Sequence, residues 1–261
     1  MGQYHLIANL DKREFIESNG GDKLMEFCYQ DQGIALELEN LMKNEWKDDH
    51  LYVIGDYCDL DSLRNYNVRG YYNLRELYQR YDYLRNVDSI FTYIRDNFKQ
   101  IKWDIKNYSA ENSRYLINTE ANEYVDLANC PIQFVWFNGK LISQRIHPLF
   151  LLLSLSNGLG GGDYFGDDKY VCYWGEFSNS ITFSNEKPKG LTLVEAEFIE
   201  KEDYETTKET LAKAIVKIYE SRERNGKTLD IDSLELVDHF VEPETFEEAK
   251  QLAKIACILV K

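Results

Sequence analysis

Two stretches of this chain carry nearly the same pattern. "LIANLDKREFI" (6–16) and "YLINTEANEYV" (115–125) each set two β-prone arms around a polar turn. In each, an asparagine (Asn9, Asn118) stands five residues before a glutamate (Glu14, Glu123). Such a pattern reads as strand, turn, strand. Both are followed by an apolar stretch of helical character, "GIALELENLMKNEW" in the first and "HPLFLLLSLSNG" in the second. Both then reach a tryptophan that leads into a strand-like segment, "WKDDHLYVIGDY" from Trp46 and "WGEFSNSITFSNE" from Trp174. A unit this small cannot bury its own apolar face, so two copies are expected to pack together. The expected fold is α+β: a duplicated hairpin–helix–strand unit forming a mixed or antiparallel sheet core, copy one at 1–58 and copy two at 113–200.

Between the copies, 59–112 reads as a helical insert. Leu74, Leu77, Tyr78, Tyr81 and Leu84 recur at helical spacing, as do Ile90, Tyr93, Ile94 and Phe98. After copy two, 201–261 reads as amphipathic helices packed on the core. Leu211, Ile215 and Ile218 share one face, and Thr245 with Glu248 has the spacing of a capping box.

Net charge and cysteine usage narrow the function classes. The 261 residues carry a formal charge of −15, which repels phosphate backbones and argues against direct nucleic-acid binding. The same field favours a basic protein partner. Nineteen tyrosines supply apolar bodies with polar tips, which suit contact surfaces. The five cysteines, Cys28, Cys58, Cys130, Cys172 and Cys257, are widely spaced with no CxxC pair. They read as free buried thiols in a reducing, cytoplasmic setting, and not as a disulfide framework or a zinc site. The start "MGQYHLIANL" lacks the pattern of a signal peptide, and the longest apolar run, "LFLLLSL", is too short to span a bilayer. No membrane association, metal or cofactor is expected.

Several segments together resemble a known family. The start "MGQY…NLDKREFI", the "GDY" after the first Trp-strand, and "IHPLFLLLSLSNGLGGGDYFG…WGEF" are similar to a family of uncharacterised, mostly bacterial proteins. Its members carry M-G-x-Y-Y, N-x-x-K-x-E-Y, I-H-P-L-P-L-L, G-N-G-R-G-G-G-D-Y and W-x-x-D-x-I. The resemblance covers about 1–57 and 113–190. It implies a shared fold and no particular activity. The chain departs from the pattern where Leu159 replaces an arginine and Phe150 a proline. It also lacks the family's aspartate after Trp174, although Asp49 fits that place in the first copy.

The glycine-rich loop "NGLGGGD" (157–163) is the most distinctive candidate site. Gly160, Gly161 and Gly162 would let a ligand approach the backbone, with Asn157, Asp163 and Trp174 as further binding candidates. The same glycines equally suit a tight helix-to-strand turn. The pattern fits neither a P-loop nor a dinucleotide fingerprint. Asp163, Asp167, Asp168 and Glu176 lack the spacing of a calcium loop. His147 before Pro148 is an acid–base candidate or simply a helix-start residue. Asp56 in "IGDYCD" is a site candidate or a turn residue. Besides a structural subunit of some assembly, two functions of different class remain open. One is an acidic interaction protein of immunity or inhibitor type that binds a basic protein. The other is an enzyme or small-ligand binder built on the glycine loop with His147 and Asp163.

Overall fold

The computed structural model describes residues 3–18, 22–28, 33–59, 68–102, 113–137, 140–156, 164, 168–195 and 198. The glycine loop 157–163, Cys257 and the expected C-terminal helices of 201–261 lie outside the described residues. The chain divides into two compact units, Met1–Pro131 with Ile146–Phe198, and Ile132–Arg145 with Ile199–Lys261.

The elements run β1 (Tyr4–Asn9), β2 (Glu14–Ile16), β3 (Asp22–Lys23), α1 (Leu24–Phe27), α2 (Ile34–Lys43) and β4 (Leu51–Gly55). Then come α3 (Val68–Arg80), α4 (Ile90–Asn97), β5 (Lys99–Gln100), β6 (Tyr115–Asn118) and β7 (Glu123–Asp126). The last are β8 (Ile132–Phe137), β9 (Lys140–Arg145), α5 (Leu149–Leu153), β10 (Ile181–Ser184) and β11 (Thr192–Leu193). Helices and mixed sheets coexist, so the fold is α+β.

In the first unit, β1 is the centre of one sheet. It pairs antiparallel with β4 on one side and with β2 and β3 on the other, and β5 adds to β2 in parallel. In the other sheet β6 is central, with β10 antiparallel on one side and β7 on the other, and β11 adds to β7 in parallel. The two hairpins share a register, Asn9 opposite Glu14 and Asn118 opposite Glu123. The cause is local. Asn9 Oδ1 accepts from the Lys12 amide at 2.9 Å and Asn118 Oδ1 from the Ala121 amide at 3.0 Å. Each turn then closes through a left-handed residue, Arg13 at φ 56° and Asn122 at φ 58°. That conformation is natural for asparagine and costs arginine about 1 kcal/mol.

Alternation along β1 sends Leu6, Ala8 and Leu10 into one core cluster. Tyr52 and Ile54 of β4 join them, with Leu74 and Leu77 of α3 and Ile90, Phe91 and Ile94 of α4. The helical spacings read for 74–84 and 90–98 thus produce α3 and α4, although α3 ends at Arg80 and Asp82–Leu84 forms a separate 3-10 turn. Ser89 caps α4 by accepting from the Thr92 amide at 3.2 Å. Elsewhere Phe27 of α1 packs on Phe150 of α5, ring centroids 5.5 Å apart. All five residues of α5 are fully buried. Burying a leucine contributes about 1.5–3 kcal/mol, so this short helix anchors the unit far beyond its length.

Three details differ from the sequence expectation. Helix α5 does not run through "HPLFLLLSLSNG": Ser154 is extended and the Leu155 amide donates to Val53 O at 3.0 Å. Pairing with β4 satisfies buried backbone that a further helical turn would have taken elsewhere. Trp174 leads into a 3-10 segment, Gly175–Ser180, before β10 begins. The end of the helical stretch supplies strand β5, whose Lys99 amide donates to Arg13 O at 2.9 Å.

The second unit is described as the antiparallel hairpin β8–β9, in register from Ile132 opposite Arg145 to Phe137 opposite Lys140. This hairpin is absent from the sequence expectation. Its signal is the Asn138-Gly139 pair between two apolar runs.

Candidate functional site

One end of the first sheet gathers polar residues where the chain enters the glycine loop. Ser156, the last described residue before that loop, is buried and its Oγ lies 3.2 Å from the Gln3 amide group. With its oxygen turned toward the Tyr57 and Cys58 amides (3.1 and 3.2 Å), the Gln3 side chain satisfies both of its ends. Gly55 makes room for it: a Cβ there would meet the end of the Gln3 carboxamide at 2.0 Å. His5 is buried, close to the backbone of Ser156 and Gln3 but without a hydrogen bond of normal geometry. Burial dominates those backbone groups and lowers its pKa to about 4, so the ring is neutral near pH 7.

Above this layer, the Asp56 amide donates to Tyr4 O at 2.9 Å and Asp56 Oδ1 accepts from the Tyr4 amide at 3.1 Å. Burial pushes the Asp56 carboxyl up, and the surrounding backbone amides pull it back only in part. On either side of Asp56 the aromatics face solvent. Tyr4 is 44% exposed and Tyr57 52% exposed.

His147 is elsewhere in the core. Its amide donates to Cys28 O at 2.6 Å, its ring stands edge-on to Phe150, and it has no solvent exposure. Neither ring nitrogen has a partner among the described residues. Burial lowers its pKa to about 4, against the opposing charge of Glu39. Trp174 is fully buried, and its Nε1 donates to Glu123 Oε2 at 2.8 Å. No hydrogen bond or ion pair joins His147, Asp56 and Trp174 to one another among the described residues. Asn157, Gly160, Gly161, Gly162 and Asp163 lie outside the described residues.

Glu14 and Glu123 are the residues that sequence reasoning passed over as site members. Trp46 Nε1 donates to Glu14 Oε2 at 2.9 Å, just as Trp174 does to Glu123. Their shared position five residues after an asparagine was the available signal. The second oxygen differs: Lys99 Nζ donates to Glu14 Oε1 at 2.9 Å, whereas the Tyr173 hydroxyl donates to Glu123 Oε1 at 2.8 Å.

Cys28, Cys58, Cys130 and Cys172 are free and buried. Burial pushes the Cys28 and Cys58 thiols far above their ordinary value, so neither is a thiolate near neutral pH. Among the described residues no group of three or more His, Cys, Asp or Glu could hold a metal ion, and no helix is long and apolar enough to cross a membrane. No family model, curated protein or solved structure matches the chain.

Proposed function

We propose that this chain is an acidic, cytoplasmic, non-catalytic interaction protein of immunity or inhibitor type, which binds a basic protein partner through the end of its first sheet. The observation that supports this reading is the pair of solvent-facing tyrosines, Tyr4 and Tyr57, flanking the Asp56 carboxylate. Tyrosine rings bring contact area at low entropic cost, and a carboxylate held by backbone amides is already oriented for a lysine or arginine. The charge of −15 adds long-range attraction for a basic partner. The free thiols accord with a reducing compartment.

The test is co-expression of this chain with each protein encoded beside its gene, followed by affinity measurement over a range of salt concentrations. The expected result is relief of growth inhibition by a basic neighbour, with binding that weakens as salt rises. Tyr57→Ala and Asp56→Asn should each raise Kd by about tenfold or more. A bound neighbour whose affinity ignores both substitutions would sink the assignment of this surface. Absence of binding to every neighbour would sink the immunity reading.

A further inference from the structure

The two hairpins present equivalent glutamates with different partners. At Glu14 the cations are built in. Lys99 bonds to its carboxylate, and Lys12, three residues after Asn9, pairs with Asp49 at 2.7 Å and donates to the Glu45 carbonyl. Burial alone would raise the Glu14 pKa. The hydrogen bonds from Lys99 and Trp46 and the charges of Lys99 and Lys12 outweigh it and hold the carboxyl below its ordinary range. At Glu123 the corresponding positions are uncharged. Ala121 stands three residues after Asn118, and Thr192 occupies the parallel register position that Lys99 holds in the first sheet. Among the described residues Glu123 accepts from two neutral donors, Tyr173 and Trp174, and each carboxylate oxygen keeps a further lone pair. Among the described residues no lysine or arginine pairs with Glu123 or Glu176.

The space is open as well as the charge. A cavity of about 350 Å³ lies at Ala121, lined also by Glu123, Tyr173, Trp174, Glu176 and Phe177. Two carboxylates and the half-buried rings of Tyr173 and Phe177 favour a cation, and the apolar part of the lining suits an alkyl stem behind it. Anions are excluded by like charge. We propose that this cavity binds an alkylammonium group, which takes the role at Glu123 that Lys12 and Lys99 fill at Glu14. The proposal goes beyond the partner surface at Asp56 and stands without it. A protein lysine and a free amine share this chemistry, and the test separates them.

The assay follows the indole N–H resonances of the full ¹⁵N-labelled chain, with Trp174 and Trp46 assigned through Trp→Phe variants. The probes are n-butylammonium, for a free amine, and Nα-acetyl-lysine amide, for a protein lysine. n-Butanol is the uncharged control. The expected result is a saturable shift of the Trp174 resonance with at least one ammonium probe, while Trp46 stays still. Response to butylammonium alone assigns a free amine, and response to the lysine amide assigns a protein lysine. Glu123→Gln should weaken binding by about tenfold or more. Because that change also alters the bond to Trp174, Ala121→Lys is the second variant. It supplies an internal ammonium, as Lys12 does in the first hairpin, and should abolish the response while raising Tm. Silence with both probes, an equal shift with butanol, equal movement of Trp46, or an unchanged response in Ala121→Lys each overturns the proposal.

Discussion

Mild acid should destabilise this protein through two histidines that no exposed surface shows. His5 and His147 are both fully buried and neutral, each with its pKa lowered by burial from 6.5 to about 4. In the unfolded chain both rings protonate near 6.5, so between 6.5 and about 4 the unfolded state binds more protons than the folded one. Stability is therefore complete above 6.5 and is lost as pH falls toward 4. At about pH 5 each ring costs about 2 kcal/mol, or about 4 kcal/mol together, against a typical total of about 5–15 kcal/mol. The partly or wholly buried carboxyls of Asp22, Glu37 and Asp56 act in the opposite sense, because burial raises them and the folded state holds their protons longer. They blunt the loss only near the acid end of the window. The assay is urea unfolding followed by tryptophan fluorescence at a series of pH values from about 7.5 to about 4.5. His5→Phe and His147→Phe should each remove about half of the slope, whatever they do to stability at neutral pH. Wild-type stability that stays flat across this range, or a slope that survives in the double variant, would refute the burial argument.

Two further outcomes follow from close packing. Gly55→Ala should destabilise by about 1–3 kcal/mol, because its Cβ would displace Gln3 from the Tyr57 and Cys58 amides. Adding Gln3→Ala should recover part of that loss, and strict additivity of the two in urea unfolding would contradict the clash. Cys28, Cys58, Cys130 and Cys172 should resist a thiol reagent in native protein and react fully once denatured, with mass mapping to identify the labelled sites. Rapid native labelling of any of the four would show that its burial is wrong.

The hairpins were legible because their information is local. Asn9 and Asn118 act on amides three residues ahead, and a window of a dozen residues contains the whole device. The amphipathic spacing behind α3 and α4 is equally local. What escaped is long-range. Strands β5 and β11 are two residues each, too short to show alternation, and exist because a sheet edge lies beside them. The bond from Trp174 to Glu123 spans 51 residues, so neither residue alone announces it. At the candidate site, Asp56 lies in the turn that follows β4, one of the two places expected for it. The exposure of Tyr4 and Tyr57 beside it is set by the sheet, and composition carries no such information. His147 next to a proline carries no mark of its burial, which is set by α1 and α5 closing over it.

The first sheet is completed by residues made much later. Gln3 meets Ser156, Val53 O accepts from the Leu155 amide, and the Leu51 amide donates to Ser178 Oγ. During synthesis, β1 and β4 therefore emerge long before the segment that covers them. At about 5–20 residues per second the ribosome needs roughly 5–20 s to deliver the hundred or so residues between β4 and Ser156. For that interval the nascent chain displays a half-covered, strongly apolar sheet. Vectorial folding of the N-terminal half is thus unfinished by design of the topology. A release from the ribosome before residue 156 should leave a species that chaperones hold or that aggregates.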